Sequence, residues 1–371
     1  MKTHLFRSKI MAYGFGLLLV MPALDQFFSI SNRFQSTENR QLKDIPAFQF
    51  PHVNTFIRRF DQYYKDNFGW RNALFYVYSR WKFRILGKSP LPEKVIVGKE
   101  GWFYLGNSYN RVVDQHRGLV PITTDSLQAI TDNLTRHQRE LAQKGIKLFV
   151  FIAPDSHTIY PEYIPDPLQS AAQISRLDVL KQHITRNTTI PFIDVRDTLQ
   201  KAKRSHQVYY QTDTHWNDYG AMVGSGALLQ RMRQEIPALP TASPSDYHIV
   251  SMRGIGGDLV AMLTLQEEIK DPIYYEIKPA PHRAARQIAT VPNERSGFPS
   301  MRFTGPDNRL PKLLLIGDSF SHSMTQFIPG YFRESYFVRD NRLDYGLVQA
   351  EQPDVIVIEI VERNLGNLAH F

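Results

Sequence analysis

Two short motifs hold the residues best suited to chemistry in this chain, Asp213-Thr214-His215-Trp216 and Gly317-Asp318-Ser319-Phe320. Together they supply an acid, a base and a nucleophile, the three parts of a serine-type acyl-transfer site. A serine hydroxyl is a weak nucleophile at neutral pH, so Ser319 needs a base, and His215 can take its proton. Because residues i and i+2 lie on one face of an extended segment, Asp213 can orient the imidazole. The motifs therefore predict a catalytic set of Asp213, His215 and Ser319.

The same residues also have simpler structural interpretations. Asp213 or Asn217 could cap the helix that follows them. His215 could be a hydrogen-bonded core histidine, and Ser319 could satisfy backbone groups where a strand ends. Asp-x-His also occurs in dinuclear metal sites, which need further Asp, Asn and His ligands in clusters. Asp318 is available, but no Gly-Asn-His block follows it, so we predict neither a metal nor a cofactor.

The elements that must position these motifs alternate between apolar runs and amphipathic segments. The apolar runs predict buried strands at 146–153, 191–194, 313–316 and 354–360. Alternation of such strands with helices predicts an α/β fold with a mainly parallel, doubly wound sheet. The Gly317-Asp318-Ser319-Phe320 motif directly follows the strand at 313–316, at the end where α/β sheets expose reactive groups.

The predicted helices of this pattern carry apolar residues at helical spacing. The first has Leu127, Ile130, Leu134 and Leu141 on its inner face, with Gly145 as its stop; the second has Ile174, Leu177, Leu180 and Ile184 inward. A third helix is expected at 219–232, with a small-residue face that includes Gly224 and Gly226. Residues of about 237–305 are rich in proline and glycine, and we expect them to be an insertion between two parts of the sheet.

The segment before the α/β pattern, 31–115, is expected to be a helical lead-in and a β-hairpin. Helices are indicated around 56–64 and at 72–85, and the hairpin at 95–104, with its turn near 99–101. Aromatic residues at helical spacing are more often core than ligand platform, so those of the lead-in are predicted to be packed. The main domain would then occupy 116–371.

The first 30 residues have the pattern of a signal anchor. Lys2, Arg7 and Lys9 precede the uncharged stretch 10–24, and apolar character resumes after Asp25. A basic flank on this side predicts that the N-terminus stays in the cytoplasm and that the catalytic domain lies outside the inner membrane. A cleaved signal peptide is the alternative, although no clear Ala-x-Ala site follows the apolar run.

Composition narrows the classes of function further. A hydrophobic content of 42% is typical of a packed globular protein, and the absence of cysteine excludes disulfides, thiol nucleophiles and thiolate zinc sites. The net charge of +8 indicates attraction to anionic matter, with a mildly basic surface as the alternative. The basic residues form no run with interleaved aromatics, so we expect no nucleic-acid partner.

Six landmarks in order give the chain a resemblance to a known family. They are Glu38-Asn39-Arg40, the segment 66–71, the segment 97–102, the segment 160–165, Asp213-Thr214-His215-Trp216 and Gly317-Asp318-Ser319-Phe320-Ser321. With these motifs the chain resembles the SGNH-hydrolase-like alginate O-acetyltransferases of the AlgJ and AlgX type. The resemblance runs from the Glu-Asn-Arg block to the C-terminus. Where relatives often have a lysine before the Tyr-Pro-Glu-Tyr block, this chain has Asp155-Ser156-His157.

The resemblance implies a permuted SGNH fold in which Asp213 and His215 pair with Ser319. It implies that Ser319 accepts an acetyl group and passes it to a hydroxyl of an exported polysaccharide. It further implies a periplasmic or membrane-tethered protein that receives acetyl groups from a multi-spanning membrane acyltransferase. We predict Trp216 and Arg363 as substrate-binding residues and the backbone N–H of Ser319 as an oxyanion donor. A carbohydrate esterase of the same fold, or a non-catalytic polysaccharide-binding subunit, remains open.

Overall fold

The computed structural model describes residues 2–28, 43–67, 70–170, 172–293 and 295–371. It divides into two compact units: unit 1 is Met1–Pro92 with Val260–Glu268, and unit 2 is Glu93–Leu259 with Ile269–Phe371. The division places the hairpin of the lead-in segment in unit 2. The Glu38-Asn39-Arg40 landmark and residues 68–69 of the next landmark lie outside the described residues.

Unit 1 is built on three helices, α1 (Lys2–Phe28), α2 (Val53–Asn67) and α3 (Arg71–Leu86). The two helices predicted for the lead-in are thereby confirmed. Helix α3 ends at Gly87, which adopts φ 61° and donates its N–H to the Phe83 carbonyl at 2.9 Å. Glycine suits this left-handed position because it has no Cβ to clash with the preceding turn. Among the described residues, no helix is long and apolar enough to cross a membrane.

The strands follow the chain from the hairpin to the C-terminus. They are β1 (Val95–Val97), β2 (Phe103–Leu105), β3 (Lys147–Ala153), β4 (Phe192–Asp194), β5 (Tyr247–Met252), β6 (Tyr274–Pro279), β7 (Arg286–Val291), β8 (Ser300–Thr304), β9 (Lys312–Gly317), β10 (Glu334–Arg339) and β11 (Val355–Val361). Strands β1 and β2 pair antiparallel and confirm the predicted hairpin. Its turn contains Glu100 and Gly101, both at positive φ.

The remaining helices connect these strands. They are α4 (Val112–His116), α5 (Thr124–Ala142), α6 (Ser156–Ile159), α7 (Arg176–Asn187), α8 (Arg196–Ala202), α9 (Asp218–Arg233), α10 (Asp258–Met262), α11 (Phe320–Met324) and α12 (Tyr345–Glu351). Short 3₁₀ turns lie at Pro161–Tyr163, Asp166–Leu168, Pro244–Asp246, Pro281–Arg283, Pro329–Tyr331 and Glu362–Ala369.

The main sheet has the strand order β4-β3-β11-β9-β10-β8-β7. Its strands from β4 to β10 are parallel, with Val355 opposite both Lys147 and Leu313, which confirms the α/β prediction for the centre of the sheet. Strands β8 and β7 add an antiparallel edge, so the sheet is mixed. Strands β7 and β8 both come from the segment 237–305, which was expected to be an insertion. The earlier part of that segment forms a separate two-stranded sheet of β5 and β6. The polar, exposed pattern of β7 has no apolar run that would have indicated a sheet strand.

The core covers both faces of this sheet. Along β9, Leu313 and Leu315 pack into one layer with Phe149, Phe151 and other aromatics, whereas Leu314 and Ile316 pack into the opposite layer. Burial on both faces is why the central strands appear in the sequence as continuous apolar runs. The turn after β9 is thus held on a rigid, doubly covered strand.

One residue of the predicted helical faces is placed differently from the prediction. Leu177, Leu180 and Ile184 are fully buried as predicted, but Ile174 is 67% exposed. Helix α7 starts only at Arg176, because Ser175 caps it and exchanges hydrogen bonds with Asp178. Ile174 lies before this cap and therefore outside the helical face.

Candidate active site

The imidazole of His215 is held by Asp213. Both residues follow α8 in the loop that leads into α9, where Trp216 pairs with Tyr209 in an isolated β-bridge. The Oδ1 atom of Asp213 accepts the His215 backbone N–H at 3.0 Å and lies 2.7 Å from His215 Nδ1. This double contact confirms that the Asp-x-His spacing folds both side chains together. Because an ionised carboxylate only accepts, this contact favours the tautomer that is protonated on Nδ1 and leaves Nε2 as a base.

A second carboxylate, Asp258, supports this pair from the start of α10. Its backbone N–H donates to Asp213 Oδ2 at 2.9 Å. Its own oxygens accept from Thr214, Oδ1 from the backbone N–H at 2.8 Å and Oδ2 from the hydroxyl at 2.7 Å. Asp258 therefore positions both the acid and the residue between acid and base.

The nucleophile candidate, Ser319, lies between the end of β9 and the start of α11. Asp318 anchors this turn: its Oδ1 accepts the Phe320 N–H at 3.0 Å, and its Oδ2 accepts the Val361 N–H at 2.8 Å. Glu359, fully buried on β11, accepts the Asp318 N–H at 2.9 Å. Asp318 and Glu359 hold the turn to the adjacent strand, while Ser319 itself is half-buried.

The fold brings His215 beside this turn. The imidazole ring lies 5.0 Å from the ring of Phe320, measured between centroids, and Phe320 is the neighbour of Ser319 in the chain. The Nε2 atom of His215 is buried and hydrogen-bonded to none of the described residues. A buried nitrogen without a partner carries a desolvation cost that a proton donor would relieve. The free base nitrogen thus belongs to an imidazole that packs against Phe320, the residue that follows the predicted nucleophile in the chain.

Charges around the pair tune its proton affinity. Burial lowers the pKa of His215, but the hydrogen bond and charge of Asp213 outweigh burial, and the pKa is raised. Burial raises the pKa of Asp213, but the bond to His215 outweighs it, and the net shift is downward. Burial, then the charge of Asp213, raises the pKa of Asp258 to about 6. An ionised Asp213 beside an imidazole of raised pKa suits a general base that must hold a proton transiently.

Arg363 lies close to the same site but is tied to another acid. Only 12% of its side chain is exposed, and its guanidinium pairs with Asp155, which also accepts the Arg363 backbone N–H at 2.8 Å. The guanidinium lies 5.6 Å from the centre of the Phe320 ring. Its positive charge lowers the proton affinity of His215. Asp155 is therefore the acid that holds this arginine in place.

Trp216 does not lie where the substrate-binding prediction requires. The indole is fully buried and packs edge-on to Phe320 with a centroid distance of 5.3 Å. A Cβ added to Gly224 would lie 2.9 Å from the indole, so the lack of a side chain at Gly224 makes room for this ring. Trp216 is therefore a packing residue, and the prediction that it binds substrate is corrected.

A further acid, Asp218, lies in the first turn of α9, three residues after His215. Asp218 is only 9% exposed, and among the described residues its carboxylate accepts one long hydrogen bond of 3.5 Å, from Gln326 Nε2. Burial raises the pKa of its carboxyl to about 6. The stacked rings of Tyr210 and Tyr274, 6.3 Å apart, lie within the field of the same carboxylate.

The sequence-based prediction missed Asp258 and Glu359. Asp258 ends the run Gly256-Gly257-Asp258, and this glycine pair was a usable signal of close backbone approach. A Cβ added to Gly257 would lie 2.5 Å from the Cβ of Asp213. Glu359 is the one acid within β11 (Val355–Val361), and an acid in a buried strand needs a partner.

Asp213, His215 and Asp258 also place potential metal-ligand atoms within 4.8 Å of one another. In the structure these atoms already engage one another and Thr214. That mutual satisfaction supports an orienting role for the two acids.

A mixed α/β sheet with a serine on the turn after a central strand, and a carboxylate-held histidine beside it, defines the class of SGNH-hydrolase-like proteins. The chain belongs to the family described as "SGNH hydrolase-like domain, acetyltransferase AlgX", whose model matches residues 95–335.

Curated relatives agree with this assignment, and a solved structure has the same fold. The chain is 28% identical over 242 residues to "Probable alginate O-acetylase AlgJ" of Pseudomonas aeruginosa, covering 61% of this chain and 55% of that protein. It is 28% identical over 246 residues to the protein of the same name from Azotobacter vinelandii, covering 65% and 58%. The chain thus spans little more than half the length of these relatives. PatB1 of Bacillus cereus shares the fold, with a TM-score of 0.56 at 12% identity, covering 75% of this chain and 99% of that one.

Proposed function

We propose that this protein is an O-acetyltransferase that moves acetyl groups through Ser319 onto hydroxyls of an exported or cell-surface polysaccharide. The observation that carries the proposal is the state of His215. Its Nδ1 is bound to Asp213, while its Nε2 is buried without a partner beside the turn of Ser319. Family membership and the names of the curated relatives support the acetyl group and the polysaccharide as substrates.

In the first step, Ser319 Oγ attacks the carbonyl carbon of an acetyl donor while His215 Nε2 takes the hydroxyl proton. A tetrahedral oxyanion forms, and we assign the Ser319 backbone N–H as one of its donors. The donor's carbon–oxygen bond then breaks, and the leaving oxygen takes the proton back from His215. The products are acetyl-Ser319 and the free alcohol of the donor.

In the second step, a sugar hydroxyl replaces the leaving alcohol. His215 takes its proton, the sugar oxygen attacks the acetyl-serine, and Ser319 Oγ leaves with the proton from His215. Water in place of the sugar would make the protein an esterase with the same residues. Arg363 is held beside Phe320 by Asp155, so we assign it to orienting the site and to electrostatic contact with the bound substrate.

We further propose that the catalytic unit works outside the inner membrane, with a multi-spanning membrane acyltransferase as its acetyl supplier. The basic flank ahead of the apolar stretch of α1 supports an N-terminal anchor with this orientation. A reporter that is active only in the periplasm, fused after Phe371, tests this placement. We expect the fusion to be active in growing cells. Activity of a cytoplasm-only reporter in the same fusion would contradict it.

The test of function is incubation with an acetyl-ester donor and acidic or neutral oligosaccharides, followed by mass spectrometry of the sugars and the protein. Acetylated sugar and an acetyl group on Ser319 are expected, and both should vanish in Ser319→Ala. Ser321→Ala is the matched control, because the Ser321 hydroxyl is buried and donates to the Asp318 carbonyl at 2.7 Å. Free acetate alone would make the protein an esterase. Undiminished transfer by Ser319→Ala would show a non-catalytic Ser319.

A further inference from the structure

The chain's positive charge is concentrated in unit 1. This unit holds 14 Lys and Arg against seven Asp and Glu, whereas unit 2 holds 30 against 29. Of the net charge of +8, unit 1 therefore supplies seven and the catalytic unit one. The charge does not mark the catalytic unit as a binder of acidic glycan; it marks the smaller unit as the part drawn to an anionic surface.

Unit 1 also exposes a stripe of apolar side chains on each of two helices, α2 and α3. On α3, the side chains of Leu74, Val77, Tyr78, Trp81 and Ile85 are each at least 42% exposed. With about 100° of rotation per residue, these five fall within an arc of about 100°. On α2, the exposed residues Val53, Ile57, Phe60 and Tyr64 follow the same spacing, and no residue of that helix is buried. The prediction that the lead-in aromatics form core is therefore wrong for these faces.

Cations flank the stripe of α3. By the same helical rotation, Arg71 and Lys82 lie on one side of it and Arg84 on the other. The Lys82 ammonium lies 5.4 Å from the centre of the Tyr78 ring, and Tyr78 stacks on Trp81. The helix contains no acid; Glu268 of the same unit pairs with Arg80 and Arg84, yet the Arg84 side chain stays 63% exposed. An apolar stripe with Trp and Tyr, bordered by Lys and Arg, is typical of helices that lie in a membrane interface.

From these observations we propose that α3, assisted by α2, docks unit 1 on the surface of a bilayer that contains anionic phospholipid. The exposed stripe enters the boundary between headgroups and acyl chains, and the flanking cations contact lipid phosphates. A protein partner fits less well, because protein interfaces are depleted in lysine and charged residues at their centres. This docking is distinct from an N-terminal anchor and independent of the acetyl-transfer chemistry.

The test uses the full chain with vesicles of phosphatidylcholine alone or mixed with phosphatidylglycerol. Trp81 is 52% exposed, whereas Trp102 and Trp216 are buried and Trp70 is half-buried and bonded to the Met21 carbonyl. A blue shift of tryptophan emission with the anionic vesicles is therefore expected, and Trp81→Phe should remove it. A soluble polyanion without lipid should produce no shift.

Two matched variants separate the stripe from any contribution of α1. Ile85→Glu places a charge in the stripe, and Ile174→Glu places the same charge at an isoleucine of nearly equal exposure in unit 2, 69% against 67%. Flotation with anionic vesicles should fall about tenfold or more for Ile85→Glu and stay at wild-type level for Ile174→Glu.

The proposal is overturned if Trp81 emission is unchanged by anionic vesicles, or if a soluble polyanion shifts it equally. It is also overturned if the purified chain self-associates without lipid and Ile85→Glu abolishes that association, since the stripe would then be a protein interface. Acetyl transfer in solution by Ile85→Glu should match the wild type, so failure of docking and failure of the proposed function are separately visible.

Discussion

The backbone N–H of Asp258 donates to Oδ2 of Asp213 at 2.9 Å and joins two segments that are 45 residues apart in the chain. The other oxygen of Asp213 holds the imidazole of His215. The orientation of the base is thus set by a loop that neither catalytic motif contains. Backbone contacts of this kind keep a carboxylate in place even when the surrounding side chains change.

Replacing the Asp258 carboxyl should impair catalysis through Thr214. Asp258→Ala leaves the buried Thr214 N–H without its acceptor, which should cost about 1–3 kcal/mol of unfolding free energy. Misplacement of the neighbouring base should slow acylation by about 10- to 100-fold. Asp258→Asn keeps an acceptor for the Thr214 N–H and should recover most of the stability. Urea unfolding and single-turnover acylation measure the two effects; equal stability of both variants would contradict this role.

The pH dependence of acylation should report His215. Because Asp213 raises the pKa of His215, the rate should fall as pH drops through a value above about 6.5, the ordinary pKa of histidine. Asp213→Asn removes the charge that raises this pKa, so the residual limb should move to lower pH. The wrong imidazole tautomer should also cost a factor on the order of 10³–10⁴ in rate. If the fall in rate at low pH occurs at the same pH in Asp213→Asn as in the wild type, a group other than His215 causes it.

Gly257 should tolerate no side chain. A Cβ there would lie 2.5 Å from the Asp213 Cβ and 2.6 Å from the Thr212 carbonyl oxygen, so Gly257→Ala must shift the acid. Activity should fall at least about tenfold. Gly226→Ala is the control, since nothing lies within 4 Å of its added Cβ. That change in the interior of α9 should stabilise the protein by about 0.5–1 kcal/mol. Thermal unfolding and acylation rates are measured for both variants. Wild-type activity in Gly257→Ala would contradict the prediction.

Glu359 should behave as a neutral side chain. Burial, then the charge of Asp318, raises its pKa well above the ordinary 4.5. Glu359→Gln keeps an acceptor for the Asp318 N–H and should change stability by no more than about 1 kcal/mol, whereas Glu359→Leu should cost about 1–3 kcal/mol.

The raised pKa of Glu359 determines how the stability of the protein changes with pH. Above about pH 4.5 the unfolded chain ionises Glu359 while the folded chain retains the proton, so wild-type stability should fall relative to Glu359→Gln as pH rises. Urea unfolding of the two proteins from pH 4.5 to 8 measures this difference. A wild type that gains stability relative to Glu359→Gln over that range would show that the buried carboxyl is ionised.

Local patterns were enough to predict much of the fold and the pairing of Asp213 with His215. The central strands are recognisable as apolar runs because both faces of the sheet are covered. Asp213 and His215 are predictable as a pair because they lie two residues apart in the chain. The contacts that sequence spacing does not encode were missed: Asp258 beside Asp213, Glu359 beneath Asp318, and Asp155 beside Arg363. The burial of Trp216 was missed for a related reason, since its cavity is made by glycines of the following helix.

The charge distribution shows a different limit of sequence reasoning. A net charge of +8 suggested an anionic partner for the whole chain, but only the division into units showed that the catalytic part is nearly neutral. Likewise, aromatic residues at helical spacing on α2 and α3 predicted core, whereas the structure leaves both stripes exposed. Periodicity identifies a face but not what covers it.

The central claim is that Ser319 carries the acetyl group between donor and sugar. The most direct measurement is intact-protein and peptide mass spectrometry after rapid mixing with an acetyl-ester donor and acid quenching. We predict one acetyl group on the peptide that contains Ser319, its loss on addition of acceptor oligosaccharide, and no adduct in Ser319→Ala. An acetyl group on another residue, or sugar acetylation with no adduct on Ser319 at any time, would contradict it.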